Sequence, residues 1–175
     1  IQYFVFCINH LNMLKKNIEN LIKKTGQITS WFSLFLVIVI SIDVFLRYIF
    51  NYSTAGFYEL EWHLFACIFI LGSSYTLQKD RHVRVDVFYN EFSDKTKNWI
   101  NLIGSIVFLL PFSYVIIISS IPFVENSYSI LESSPDQGGL PFRFIIKSII
   151  PIGFILFFLQ GCLEIVKYIS QLNKR

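Results

Sequence analysis

The residues of this sequence best suited to chemistry are two opposite charges inside a long apolar stretch. Asp43 and Arg47 are four positions apart within residues 31–50, which are otherwise almost wholly apolar. A carboxylate in such a place could exchange protons or contact a polar substrate. Charges with this spacing can also pair on one face of a helix and neutralise each other. We favour the second interpretation, a brace between helices, because a neighbouring cation hinders the proton exchange that a transporting carboxylate needs.

Further acidic residues stand at the head of the next apolar stretch. Glu59 and Glu61 follow a short connection that contains Gly56. Arg47 lies near the end of its own stretch, so it could reach either carboxylate instead of Asp43. These acids are therefore predicted to be structural partners rather than catalytic groups.

Two cations, Arg143 and Lys147, open the last apolar stretch. The preceding segment, PFVENSYSILESSPDQGGLP, carries only acids, among them Glu132. We expect the two cations to pair with the acids of this loop. The alternative is that the two cations form a basic site that binds an anionic substrate.

Metal and cofactor chemistry has little support in the sequence. His63 is the one histidine inside an apolar stretch, whereas a haem or metal site normally needs more ligands. Cys7, Cys67 and Cys162 show neither metal-type nor redox-type spacing. We predict no cofactor and no enzymatic activity, and we take Asp43 and Arg47 as the only charges well inside the apolar stretches.

The elements that position these residues are four long apolar stretches, and they predict an all-α integral membrane protein. Each approaches or exceeds the ~20 residues that cross a bilayer core. The composition is 54% hydrophobic, 18% aromatic and only 15% charged, so too few polar faces remain to cover four apolar helices in water. The predicted transmembrane helices span residues 31–50, 59–78, 99–121 and 142–166 within a membrane domain of residues 31–166.

The basic residues divide the connecting segments into two classes. The segments 51–58 and 122–141 contain no lysine or arginine, and all the other connections are basic. By the positive-inside rule, both termini and the middle loop are predicted to be cytoplasmic, with residues 167–175 as a cytoplasmic tail. The net charge of +3 is explained by this topology and gives no reason to expect nucleic-acid binding.

The N-terminal segment, residues 1–30, has its own pattern. Residues 13–24 place apolar side chains on one helical face and lysines on the other. This pattern is typical of an amphipathic helix at the membrane surface, and a basic topology signal without fixed structure is the alternative. Gly26 is expected to end the helix. Residues 1–12 lack the features of a signal peptide, and we expect Met13 to be the initiator.

Two internal features bear on the middle of the chain. Pro111, inside the third stretch, is expected to bend that helix unless neighbouring groups accommodate the freed carbonyl. Arg84 and Asp86 lie in the middle loop, where we regard them as a structural pair that touches the cytoplasmic edge of a partner.

An ordered set of short patterns resembles the small membrane subunit of the tripartite ATP-independent periplasmic (TRAP) transporters, of the DctQ type. The patterns are DVFLRYIFN at 43–51, LGSSYTLQKDRHVRVDVFY at 71–89, LLPFS at 109–113, GLPFRFIIK at 139–147 and IPIGFILFFLQG at 150–161. The resemblance covers roughly residues 30–166, and HVRVDV is its most distinctive part.

This resemblance implies a four-helix scaffold in the inner membrane of a bacterium. The scaffold would bind a much larger permease subunit that carries substrate and sodium ions. A periplasmic solute-binding protein would deliver the substrate, an organic acid or similar solute. No ATP would be used, and the sequence contains no phosphate-binding loop.

Two other functions are weighed against this one. A self-sufficient, homo-oligomeric, proton-coupled four-helix transporter would depend on Asp43, whereas a redox anchor would need more ligands than His63 provides. We therefore predict a set of structural or interface residues rather than a catalytic site: Asp43, Arg47, Glu59, Glu61, Arg84, Asp86, Glu132, Arg143 and Lys147.

Overall fold

A computed structural model describes residues 2–80 and 91–173, with side chains described from residue 13 onward. Within this part of the chain there are four long helices and no strand. They are α1 (Gln2–Phe50), α2 (Ala55–Gln78), α3 (Asp94–Ser129) and α4 (Phe144–Leu172). All four are long and apolar enough to cross a membrane, which confirms the predicted fold class.

Helix α1 continues through Gly26, so the prediction that this glycine ends a helix is wrong. A Cβ atom on Gly26 would lie 2.3 Å from Cγ of Tyr75, and the missing side chain is therefore what lets α1 and α2 approach. Nearby, Ile22 is completely buried and the Gln78 side chain donates a hydrogen bond of 2.9 Å to the carbonyl of Glu19. The basic segment is thus continuous with the first span and packed beside α2, rather than a separate surface helix.

Helix α3 contains a change of helical type just before its first proline. It begins after Ser93, whose hydroxyl accepts a hydrogen bond from the Thr96 amide. Its residues Asp94–Gly104 are α-helical, Ser105–Leu109 form a π-helical turn, and Leu110–Ser129 are α-helical again. Proline removes one backbone donor, and a π turn shifts the hydrogen-bond register beside it. Pro111 is therefore accommodated within a continuous helix.

The four helices pack in an open row. Helix α1 lies against α2, α2 against α4, and α4 against α3, while α1 meets α4 at few positions. Among the described residues, no extensive contact joins α3 to α1 or to α2. The row therefore has two broad faces, and α1 and α3 form its edges.

Small residues allow the helices in the row to approach closely. A Cβ on Gly153 of α4 would lie 2.3 Å from Cγ2 of Ile70 in α2, and a Cβ on Gly161 would lie 2.3 Å from Cδ2 of Leu109. Helix α3 buries serines at seven-residue spacing, Ser113, Ser120 and Ser127. The hydroxyls of Ser113 and Ser120 donate to carbonyls of their own helix. Small residues of this kind let helix backbones approach closely, which stabilises helix pairs in a membrane, where the hydrophobic effect does not drive association.

Candidate functional site at the α3–α4 loop

A single buried carboxylate, Glu59, organises one end of the helix row. Its side chain is only 3% exposed, although it belongs to the second turn of α2. It accepts hydrogen bonds from the Ser134 hydroxyl, from the Leu140 amide at 2.6 Å and from Nη2 of Arg143 at 2.9 Å. A buried carboxylate is tolerated when its charge is paired and its oxygens accept several donors, and all of these donors come from the α3–α4 loop or from its junction with α4.

The α3–α4 loop, residues 130–143, is itself closed by backbone hydrogen bonds. The Arg143 amide donates to the carbonyl of Glu132 at 2.8 Å, and the Ser134 amide donates to the carbonyl of Leu140 at 3.1 Å. Gly139 fits against Ser134 because a Cβ at that position would lie 2.5 Å from the serine Cβ. The loop is therefore a compact structure that Glu59 fixes to α2.

Two bulky residues near the ends of this loop have left-handed backbone conformations. Leu131 has a φ of 45° and Phe142 has a φ of 60°. Side chains with a Cβ rarely adopt such values, and the strain persists only where surrounding contacts impose it. Here the Arg143–Glu132 backbone bond joins the residues next to both positions, and Glu59 binds Ser134 and Leu140 between them, so these contacts impose the conformation.

A second ion pair joins the loop to the first turns of α4. The ammonium of Lys147 donates a hydrogen bond to the carboxylate of Glu132, and this bond is the main reason that the pKa of Glu132 lies below its ordinary value. The same ammonium lies 4.2 Å from the centroid of the Phe123 ring. Glu59, Glu132, Arg143 and Lys147 together form two neutral pairs, which we call the loop clamp. The predicted pairing of both cations with acids is thus present, although Arg143 pairs with the helix residue Glu59.

The other predicted pair, Asp43 and Arg47, lies along α1. Nη2 of Arg47 donates to Oδ2 of Asp43. The Asp43 side chain is 3% exposed and that of Arg47 is 51% exposed, so the pair reaches from the interior to the surface of the row. Arg47 pairs with neither Glu59 nor Glu61. The roles of these residues in assembly remain predictions.

The remaining predicted residues are not brought into a common site. Glu61 and His63 each have a buried polar atom without a hydrogen-bond partner among the described residues. The His63 ring packs on Trp62, with centroids 4.0 Å apart. Arg84 and Asp86 lie outside the described residues. Within the described part of the chain, no group of three or more histidine, cysteine or acidic side chains is placed to hold a metal ion.

One polar cluster was missed from the sequence. Glu164 in α4 is 4% exposed and Gln160 is 3% exposed, so a buried polar cluster lies near the end of the last predicted span. Glu164 accepts from Gln160 Nε2 at 3.1 Å and from Lys167 Nζ at 2.9 Å. The spacing of these residues, four and three positions, places them on one helical face and could have revealed the cluster.

The comparison with protein families agrees with this architecture. The family model described as "Tripartite ATP-independent periplasmic transporters, DctQ component" matches residues 36–171, well over half of the chain. The chain belongs to the DctQ family. The resemblance predicted from the short patterns is thereby confirmed. No individual curated protein matches the chain.

As a DctQ protein, the chain is a small membrane subunit of a TRAP transporter and a multi-pass membrane protein. The matched region begins inside α1 and includes the Asp43–Arg47 pair, the loop clamp and the Gln160–Glu164–Lys167 cluster. In each of these groups the carboxylates are neutralised by a cation within reach. The Glu59–Arg143 pair joins two elements, whereas the Asp43–Arg47 and Glu164–Lys167 pairs each lie within one helix.

Proposed function

We propose that this chain is a non-catalytic scaffold in a sodium-coupled TRAP transporter of the bacterial inner membrane. It binds the large permease subunit, which imports an organic acid or similar solute delivered by a periplasmic solute-binding protein. Both termini lie in the cytoplasm, and the loop clamp lies at the periplasmic end of the helices. The family match supports the type of complex, and the helix packing supports the role within it.

The observation that carries the scaffold role is the open row of helices. This row leaves large apolar residues exposed on every helix. Trp31 is 71% exposed, Phe69 is 70% exposed and Phe108 is 72% exposed. Broad apolar faces of this kind suit contact with lipid and with the helices of a larger membrane partner.

The distribution of charge supports a role without transport by this chain alone. A transporter of its own would need polar groups at mid-membrane that are open to a substrate or an ion. The Asp43 carboxylate is instead buried against Arg47, and Glu164 lies near the opposite end of the row between Gln160 and Lys167. The described charges therefore fix helices rather than line a pathway.

Co-purification with the large subunit tests this proposal. The tagged chain is expressed beside the membrane protein encoded next to it and is solubilised gently. A stable complex is expected, and its yield should fall in Asp43→Ala and Arg47→Ala because each variant leaves one charge without its partner. Ser41→Ala is the matched control, since Ser41 is exposed on the same helix and bonds only to its own backbone.

Two outcomes would contradict the scaffold role. One is recovery of the chain only with itself despite good expression of the neighbouring membrane protein. The other is proton-dependent transport by the purified chain alone, abolished by Asp43→Asn while assembly stays intact. Either result would favour the self-sufficient four-helix transporter.

A further inference from the structure

The row of helices leaves a narrow groove between α2 and α3, with α4 at its base. Its volume is about 260 Å³. The walls are almost wholly apolar, and the cations of the loop clamp lie at one end. The lining residues are Trp62, Ala66, Ile70, Phe123, Arg143, Ile146, Lys147 and Ile150. We propose that this groove binds one phospholipid, with an acyl chain between the helices and the phosphate at Arg143 and Lys147.

The dimensions of the groove suit a single hydrocarbon chain. Ile70 lies two helical turns along α2 from Trp62, which corresponds to a length of ~12 Å. A transmembrane helix has a diameter of ~10 Å, so a whole helix could cover this groove but not lie inside it. A side chain or an acyl chain is narrow enough to enter it.

At the polar end of the groove, Arg143 and Lys147 have N–H donors that their carboxylate partners do not use. Arg143 uses Nη2 for Glu59, and 23% of its side chain remains exposed. The Lys147 ammonium has three N–H donors and makes one hydrogen bond within the described part, to Glu132. A phosphate oxygen accepts strongly from both guanidinium and ammonium groups.

The position of these donors matches the location of lipid phosphates. Arg143 immediately precedes α4 and Lys147 is in its first turns, so both lie at the membrane surface rather than at mid-membrane. The apolar part of the groove runs inward from them to Ile70, which contacts Gly153. Trp62 stands beside the polar end, where indole rings favour the interface. A phospholipid presents its phosphate and its acyl chain in this order.

A photoreactive lipid tests the assignment in the intact, purified chain. The probe is phosphatidylethanolamine with a diazirine in one acyl chain, added at low mole fraction in detergent, and labelled peptides are identified by mass spectrometry. Saturable labelling is expected at Ile146–Ile150 and around Ile70, and unlabelled phosphatidylethanolamine should compete for it. Ala66→Leu fills the apolar wall without touching a charge and should lower this labelling about tenfold.

Two further variants separate specific binding from general lipid contact. Ser41→Leu enlarges an exposed side chain on α1, outside the groove, and should leave the labelling unchanged. The double variant Glu132→Gln with Lys147→Gln removes the cation without leaving an unpaired carboxylate, and it should also weaken labelling. Equal labelling in Ala66→Leu and the unsubstituted chain would overturn the proposal. So would a photocrosslink from position 66 to the large subunit in the assembled complex, because a partner side chain would then occupy the groove.

Discussion

Replacing Glu59 should release the α3–α4 loop from α2. Three donors converge on this carboxylate, and all of them belong to the loop: the Ser134 hydroxyl, the Leu140 amide and the Arg143 guanidinium. Glu59→Gln keeps the shape of the side chain but loses the charge that Arg143 requires. Glu59→Ala removes every one of these contacts.

The magnitude follows from the burial of the pair. Hydrogen bonds to a charged group contribute about 1.5–3 kcal/mol, so we expect Glu59→Gln to lower the free energy of unfolding by about 2 kcal/mol. Breaking a buried ion pair by removing one partner costs about 3–5 kcal/mol. Because the Arg143 side chain is 23% exposed and keeps some hydration, we expect Glu59→Ala to fall near the lower limit, about 3 kcal/mol. For a chain of this length that corresponds to a thermal midpoint lowered by about 10 °C.

Thermal unfolding in detergent measures the global effect, and amide hydrogen exchange measures the local one. Exchange should accelerate at Leu140 and at Ser134, whose amides lie inside the loop, while α1 keeps its protection. Glu125→Gln is the matched control, because Glu125 is an exposed carboxylate near the same end of α3. If Glu59→Gln and Glu125→Gln unfolded at the same temperature with the same loop exchange, the clamp would not be what holds the loop.

Two further predictions concern helix packing and pH. Gly153→Ala should destabilise the chain by about 1–3 kcal/mol because its Cβ would meet Ile70. Gly104→Ala places no atom within 4 Å of the new Cβ, so it should be neutral or stabilising by about 0.5–1 kcal/mol. The thermal midpoints of both variants test this prediction, and equal shifts would contradict it. The pKa of Glu132 is below its ordinary value of 4.5 because of Lys147, so the ion pair should stabilise the loop fully at neutral pH and lose this effect as the pH falls through the lowered pKa. Loop exchange followed between pH 7 and pH 3 (about the range in which carboxyls titrate) should show this acid sensitivity, and Glu132→Gln should reduce it.

The fold class could be predicted because apolar length alone identifies membrane helices. The helix ends could not, since a helix that leaves the bilayer no longer has to be apolar. Helix α1 therefore continues into the lysine-rich segment, and α3 starts at Asp94 and ends at Ser129. The prediction that Gly26 ends a helix was wrong because the packing around this glycine could not be read from the sequence. Its cost within a helix is about 1 kcal/mol, and the close packing of Tyr75 offsets it.

The candidate site was predictable only where its partners are close in sequence. Asp43 and Arg47 are four residues apart, so helical geometry alone brings them together. Glu132 precedes Lys147 by fifteen residues across one loop, and charge alone suggested the pairing. Glu59 and Arg143 are separated by 84 residues. Their contact depends on α2 packing against α4, which no local pattern encodes.

The open row also depends on specific contacts between neighbouring helices. In a membrane, lipid is as apolar as a protein interior, so apolar side chains alone do not determine which helices pair. Specific pairing must come from close backbone approach and from polar contacts. The contact between α2 and α4 has both, Gly153 against Ile70 and Glu59 with Arg143. The contact between α1 and α2 has Gly26 against Tyr75 and the hydrogen bond from Gln78 to Glu19. Because each helix is held by its neighbour at defined points, the row keeps its shape without a shared core.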